Sequence, residues 1–350
     1  MEKSLKVTKN GRIEYVDVLK GVGILSVVLL HVYSGYNIAG KPIEYVLKYF
    51  TSFHMGLFFF LSGMLFNPYI SNYSQRINRK IKTLFLPYLL WDGVIGTGVE
   101  FVRCTLGSEG AANYDLKKTI IDFLLGKSTY TGSWFVLTLF LTYMLEYLIS
   151  FICKKAKLSY DSIPIVILHV LFIPVSLVLN SNAIGDYFRL KLILRACVFF
   201  YIGYLFARIK TKIRLNVLVL FLMLAVGMVL SLVFPRVSFS EYTFGNVLYI
   251  LPSAICTICS LCGLFELLCN KTQLKFLRFI GQYSIIVFYT HLLLMYTVIR
   301  MFEKLFHMQI HTFPPLFAFV IIVVLEFVLI KFMPLFLKRL FGIFEDKKAK

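Results

Sequence analysis

The chain is short of charge, and shortest of acids. Only 16% of its 350 residues are Asp, Glu, Lys or Arg, against about 25% in soluble domains. So few charged groups cannot cover the surface of a soluble protein this long, which argues against a conventional cytosolic enzyme. There are 18 acids against 37 basic residues. The seven cysteines lie mostly in or beside apolar stretches. No His or carboxylate joins them at the loop spacing that zinc sites use. Cys256, Cys259 and Cys262 share one helical face and read as small packing residues. An internal repeat, a low-complexity tract and a polar segment long enough for a soluble domain are all missing. What is abundant is apolar: 59% hydrophobic and 17% aromatic. That composition excludes a disordered chain and a disulfide-stapled secreted domain. It leaves an all-α, polytopic integral membrane protein.

Apolar stretches of roughly 20 residues, the length that spans a bilayer, occur ten times. They lie near 16–36, 48–69, 82–103, 132–152, 161–180, 190–208, 215–234, 246–268, 281–300 and 314–337, and are expected to form one transmembrane domain over residues 1–350 with no appended soluble domain. The connections between them alternate in basic content. The first set runs from Lys3, Lys6, Lys9 and Arg12 through Arg76, Arg79, Lys80 and Lys82 to Lys338 and Lys350, and holds 23 of the 37 basic residues. The other set holds 11. By the positive-inside rule the richer set is cytoplasmic, so both termini are expected inside. This ladder accounts for nearly all of the formal charge of +19. No nucleic-acid partner is needed to explain it. Asp17 and Lys20 interrupt the first apolar run, which reads as an uncleaved first span rather than a signal peptide. A stretch from Asp115 to Leu125 is amphipathic and suited to the interface.

Ionisable groups inside spans are costly and are candidates for function by default. In the first span, Asp17, Lys20 and His31 fall within an arc of about 60° on a helical wheel. Asp17 and Lys20, at i and i+3, are spaced to pair at the inner end. His31 sits about three turns further along, in the outer half. Gly21 and Gly23 permit close approach of a neighbour. The second span carries Ser52-Phe53-His54-Met55 near its outer end, at close to the depth of His31. Either histidine alone reads equally well as a satisfied core residue or as a functional one. Two at one level on adjacent antiparallel helices read as a site, because neutral imidazole can take a proton from a hydroxyl near pH 7.

The run Lys20-x10-His31 resembles the basic-residue-x10-His motif in the first helix of membrane-bound acyltransferase family 3. Phe53-His54-Met55, followed by Phe59-Phe60-Leu61-Ser62-Gly63, is similar to that family's second-helix signature, particularly in its fucose 4-O-acetylase-like, sugar O-acetyltransferase branch. Arg76-Ile-Asn-Arg79-Lys80 leading to Leu86-Pro87-Tyr88 resembles its basic cytoplasmic loop and third helix. Gly132-Ser133-Trp134-Phe135 and Tyr283-Ser284 with Tyr289-Thr290-His291 match weaker patterns at the fourth and ninth helices. Lys20 stands where many members carry Arg, and Lys lacks the bidentate fork of Arg.

The resemblance implies an O-acyltransferase. It would move an acyl group, acetyl before others, from cytoplasmic acetyl-CoA or another acyl-CoA to a hydroxyl of a surface glycan or its lipid-linked precursor. No metal is expected. His31 would then be the general base or a transient acyl carrier, and His54 its orienting partner. Arg76, Arg79 and Lys80 would meet the donor's phosphates, although such charges occur in any cytoplasmic loop. Lys20, fixed by Asp17, would meet the diphosphate or pantetheine. Trp134 is either an interfacial anchor or a face for sugar stacking. Arg195 and Glu100 form either an interhelical ion pair or part of acceptor recognition. His291 is a candidate for the same cavity, while His169, His307 and His311 carry no assignment. The setting implied is a bacterial-type cytoplasmic membrane, with lipids, the glycan acceptor and a second copy or glycan-assembly proteins as partners. An exopolysaccharide exporter or flippase is the alternative, separated by whether loss of the protein removes O-acyl groups or the glycan itself. A membrane scaffold or sensor would need neither histidine.

Overall fold

The computed structural model describes residues 12–34, 41–98, 101, 115–127, 134–181, 183–210, 216–306 and 314–344. Regular structure among them is helical throughout. The helices are α1 (Glu14–Val32), α2 (Pro42–Met64), α3 (Tyr73–Lys80), α4 (Leu116–Leu124), α5 (Trp134–Lys155), α6 (Ile163–Val178), α7 (Leu190–Lys210), α8 (Val217–Val233), α9 (Phe244–Lys271), α10 (Lys275–Gln282), α11 (Ser284–Phe306), α12 (Pro315–Phe332) and α13 (Leu335–Leu340). Six of the apolar stretches are helices long and apolar enough to cross a bilayer, namely α1, α5, α7 with its leading turn, α9, α11 and α12. α6 and α8 are equally apolar but shorter, at 16 and 17 residues.

Two stretches differ from the expectation. α2 begins at Pro42, ahead of the apolar run at 48, because a proline at the first helical position presets φ and lacks only an N–H that would go unused. Glu44 and Lys48 in its opening turns hide this start from a search for apolar residues. The third stretch, expected at 82–103, is not a regular α-helix. α3 runs into a π-helical turn (Ile81–Phe85), one α-helical turn (Leu86–Tyr88) and a second π-helical segment (Leu89–Gly96). Pro87 lies between the two π segments, lacking an N–H and crowding the carbonyl four residues back.

The chain divides into two compact units, Met1–Leu65 with Phe199–Phe332 and Phe66–Val198 with Met333–Lys350, so that α7 contributes to both. In the first unit α1 is the central helix, packed by α10 and α2 and then by α9, α11 and α12. Most of its residues are buried, Glu14 and Asp17 among them, as expected of a helix enclosed by others. Two contacts bring backbones together. A Cβ on Gly281 would lie 1.7 Å from the Asp17 carbonyl oxygen, and one on Gly21 2.2 Å from that of Leu277. Where backbones meet this closely only glycine fits. α8 and α9 form a hairpin in which Ser253 and Ser260 donate to the carbonyls of Gly227 and Leu220, at 2.8 and 2.6 Å.

In the second unit, rings fill the interior. Phe66 lies 5.4 Å from Tyr147 and 5.8 Å from Tyr160, Phe85 stacks on Phe140 at 4.9 Å, and Trp91 on Phe341 at 4.3 Å. α4 starts with Asp115 capping the N–H of Lys118 and lays Phe123 on Tyr88. Arg189, at φ 58°, donates to the carbonyls of Gly126 and Lys127 and so ties the end of α4 to the start of α7.

Candidate active site

His31 occupies the last turn of α1. Its side chain is half-buried, and neither ring nitrogen makes a hydrogen bond among the described residues. Its ring centroid lies 5.2 Å from that of His291, with the planes at 45°. His291 stands two turns into α11 and is 2% exposed. Its Nδ1 donates to the carbonyl of Val287 at 2.8 Å. A carbonyl oxygen only accepts, so the proton of the neutral ring is on Nδ1 and Nε2 presents a lone pair. That Nε2 is buried with no hydrogen-bond partner among the described residues. His54 on α2 repeats the pattern, its Nδ1 donating to the carbonyl of Phe50 at 2.8 Å. It is half-buried and lies within electrostatic range of His31 and Arg236. Three imidazoles thus come from three helices. Two are held by their own backbone, and His31 alone can turn. Beside them, the Thr290 hydroxyl lies 2.8 and 2.9 Å from the oxygens of Glu326, a carboxyl 1% exposed on α12.

At the other end of α1, Asp17 accepts from Gln282 on α10 at 3.2 Å and faces Arg12 at 3.9 Å. Glu14 accepts from Arg278 at 2.8 Å. Asp17 is therefore engaged with Gln282 and Arg12, where the helical spacing pointed to Lys20. Lys20 itself is half-buried on the same helix. Glu266 pairs with Lys210, which also meets the Tyr15 hydroxyl.

The second unit holds the remaining candidates. Arg76 and Arg79 are exposed on α3, a helix with no buried residue. Lys80 sits 3.4 Å over the ring of Tyr143. Trp134 opens α5, edge-on to Phe135. Arg195 is buried in α7. Glu100, His307 and His311 lie outside the described residues.

Sequence reasoning missed a second cluster. His169 donates from Nδ1 to the carbonyl of Ile165 at 2.8 Å, and its Nε2 meets the Glu146 carboxyl at 3.2 and 3.3 Å. Tyr160 donates to the same carboxyl at 2.5 Å. With Nδ1 committed, one proton serves the Glu146–His169 contact, on the carboxyl or on Nε2. Tyr160 also walls a cavity of about 300 Å³ with Pro68, Tyr69, Ser150 and Lys154. The signal was available. Glu146 lies nine residues before Lys155 at the end of α5, and His169 six after Ile163 at the start of α6, so both sit at similar depth in one helical hairpin.

Helices of membrane-spanning length and a cluster of imidazoles at the end of the central one define an integral membrane protein with the makings of a proton-transfer site. The particular family follows from comparison: residues 13–331 match the acyltransferase domain that defines acyltransferase family 3. The chain belongs to that family and is a membrane acyltransferase. No curated protein and no solved structure matches it.

Proposed function

We propose that this enzyme is an O-acyltransferase of a bacterial-type cytoplasmic membrane, moving acetyl from cytoplasmic acetyl-CoA to a hydroxyl of a surface glycan or its lipid-linked precursor. The observation that carries this reading is His31: half-buried, with neither ring nitrogen hydrogen-bonded among the described residues, and beside two further imidazoles. A hydroxyl is a weak nucleophile until its proton leaves. In the reaction His31 takes that proton, and the oxygen attacks the thioester carbonyl carbon. The C–S bond then breaks, and the thiolate of coenzyme A leaves and regains a proton from the imidazolium. Such general-base assistance is typically worth about 10²–10⁴-fold. His54, with Nε2 presented as a lone pair, orients the base or the hydroxyl.

The exposed guanidinium groups of Arg76 and Arg79 hold the donor's phosphates, with Lys80 beside them. Trp134, Arg195 and Glu100 serve the acceptor. All ten apolar stretches cross the membrane in this reading, with both termini inside, as the basic ladder requires. The test is His31→Ala in membranes carrying the full chain, supplied with radiolabelled acetyl-CoA. Base-labile acetyl in the glycan fraction should fall by about 100-fold or more. Turnover retained in a folded, inserted variant refutes the role of His31.

A further inference from the structure

We propose that His291 is a positioning residue for His31: its buried Nε2 accepts an N–H of His31 and stabilises the imidazolium formed when His31 takes the acceptor's proton. The inference rests on the reading of His31 as the base and adds a role that the sequence pattern did not give.

Four observations carry it. The Val287 carbonyl fixes the His291 tautomer, so Nε2 can only accept while the ring is neutral. That Nε2 is buried with no partner among the described residues, an arrangement proteins avoid unless the atom has a use. The nearest ring is His31, at 5.2 Å between centroids, from which a modest turn brings two ring nitrogens to the roughly 3 Å of a hydrogen bond. Finally, His31 is the one ring of the three with no tie to its own backbone, so it is free to make that turn.

The other groups nearby are spoken for or differently placed. Glu326 is engaged by Thr290. His54 is half-buried and tied to its own backbone, whereas His291 is 2% exposed with its Nε2 unpartnered among the described residues. His291 therefore takes the place that a carboxylate holds behind the base of a Ser–His–Asp triad. In the proton balance, the acceptor O–H breaks and its proton goes to the outer nitrogen of His31. His291 keeps its Nδ1 proton, and none passes between the rings. The His31 N–H···Nε2 bond simply becomes charge-assisted.

The experiment uses membranes of the full chain with radiolabelled acetyl-CoA, comparing His291→Phe, His291→Gln, His291→Asn and His31→Ala. Phe keeps the volume and loses the acceptor. Its maximal rate should fall about 10- to 100-fold at unchanged KM for acetyl-CoA. Gln can place a carbonyl near Nε2 and should recover to within about threefold, while Asn, too short, should not. Combining His291→Phe with His31→Ala should cost no more than His31→Ala alone. A His291→Phe enzyme at near wild-type rate, or equal activity of the Gln and Asn variants, overturns the assignment. If Phe prevents folding, the Gln–Asn comparison decides. Should His31→Ala remain active, it is the reading of His31 that fails, and this is distinguishable from failure of the His291 role alone.

Discussion

Replacing Gly281 by alanine should unfasten α1 from α10. The new methyl carbon would stand 1.7 Å from the Asp17 carbonyl oxygen and 2.6 Å from the Gly21 nitrogen, against a limit of 3.0 Å that real Cβ contacts essentially never breach. Both obstacles are backbone, so one helix must move by more than 1 Å. The shift draws Gln282 away from Asp17, a bond of 3.2 Å, and strains the 2.8 Å bond between Arg278 and Glu14. Overpacking costs about 1–3 kcal/mol. A weakened hydrogen bond to a carboxylate adds up to about 1.5–3 kcal/mol. A loss of about 3 kcal/mol is a large share of a typical domain's stability. The control is Gly245→Ala in the first turn of α9, where an added Cβ meets nothing within 4 Å. There alanine gains up to about 1 kcal/mol of helix propensity. Thermal unfolding of both variants in mild detergent, followed by size-exclusion recovery, is the assay. G281A should melt well below wild type, with G245A at or above it. Equal melting of G281A and wild type would show that the α1–α10 contact is not tight.

Two further outcomes are expected. Tyr160→Phe removes a donor from the buried Glu146 carboxyl and should cost about 1–3 kcal/mol by denaturant unfolding in detergent. Its effect should be non-additive with that of His169→Phe, since both act on one carboxyl; strict additivity would contradict a shared network. Arg76→Ala with Arg79→Ala, on a helix that buries nothing, should raise the KM for acetyl-CoA about tenfold at unchanged maximal rate and expression. An unmoved KM would remove α3 from the donor site.

Length and apolarity made nearly every helix legible, because a bilayer sets the required run of residues. Where the reading slipped, local chemistry overrode the count. Pro42 starts α2 among charged residues, and Pro87 divides what looked like one span. The site was legible in part. Counting depth from the loops suggested that His31 and His54 share a level. His291 could not be drawn to His31 that way, because nothing in one sequence says that α11 packs against α1. Glu146 and His169 lie on consecutive helices, and the same count would have paired them. Asp17 shows the limit of local counting. Its i+3 neighbour is a local inference, while the bond to Gln282 spans 265 positions.

The two π-helical segments flanking Pro87 have one more consequence. Deleting a residue from a buried helix ordinarily rotates everything beyond it by about 100°, turning inward side chains outward. A π turn already holds a surplus residue, so a deletion between Ile81 and Gly96 can be absorbed by tightening to α geometry. The same surplus can migrate along the helix without unwinding it. Asp92, a side chain 1% exposed, lies within the second of these segments. The segment is thus the slack in its helix, the place where this chain tolerates a change of length.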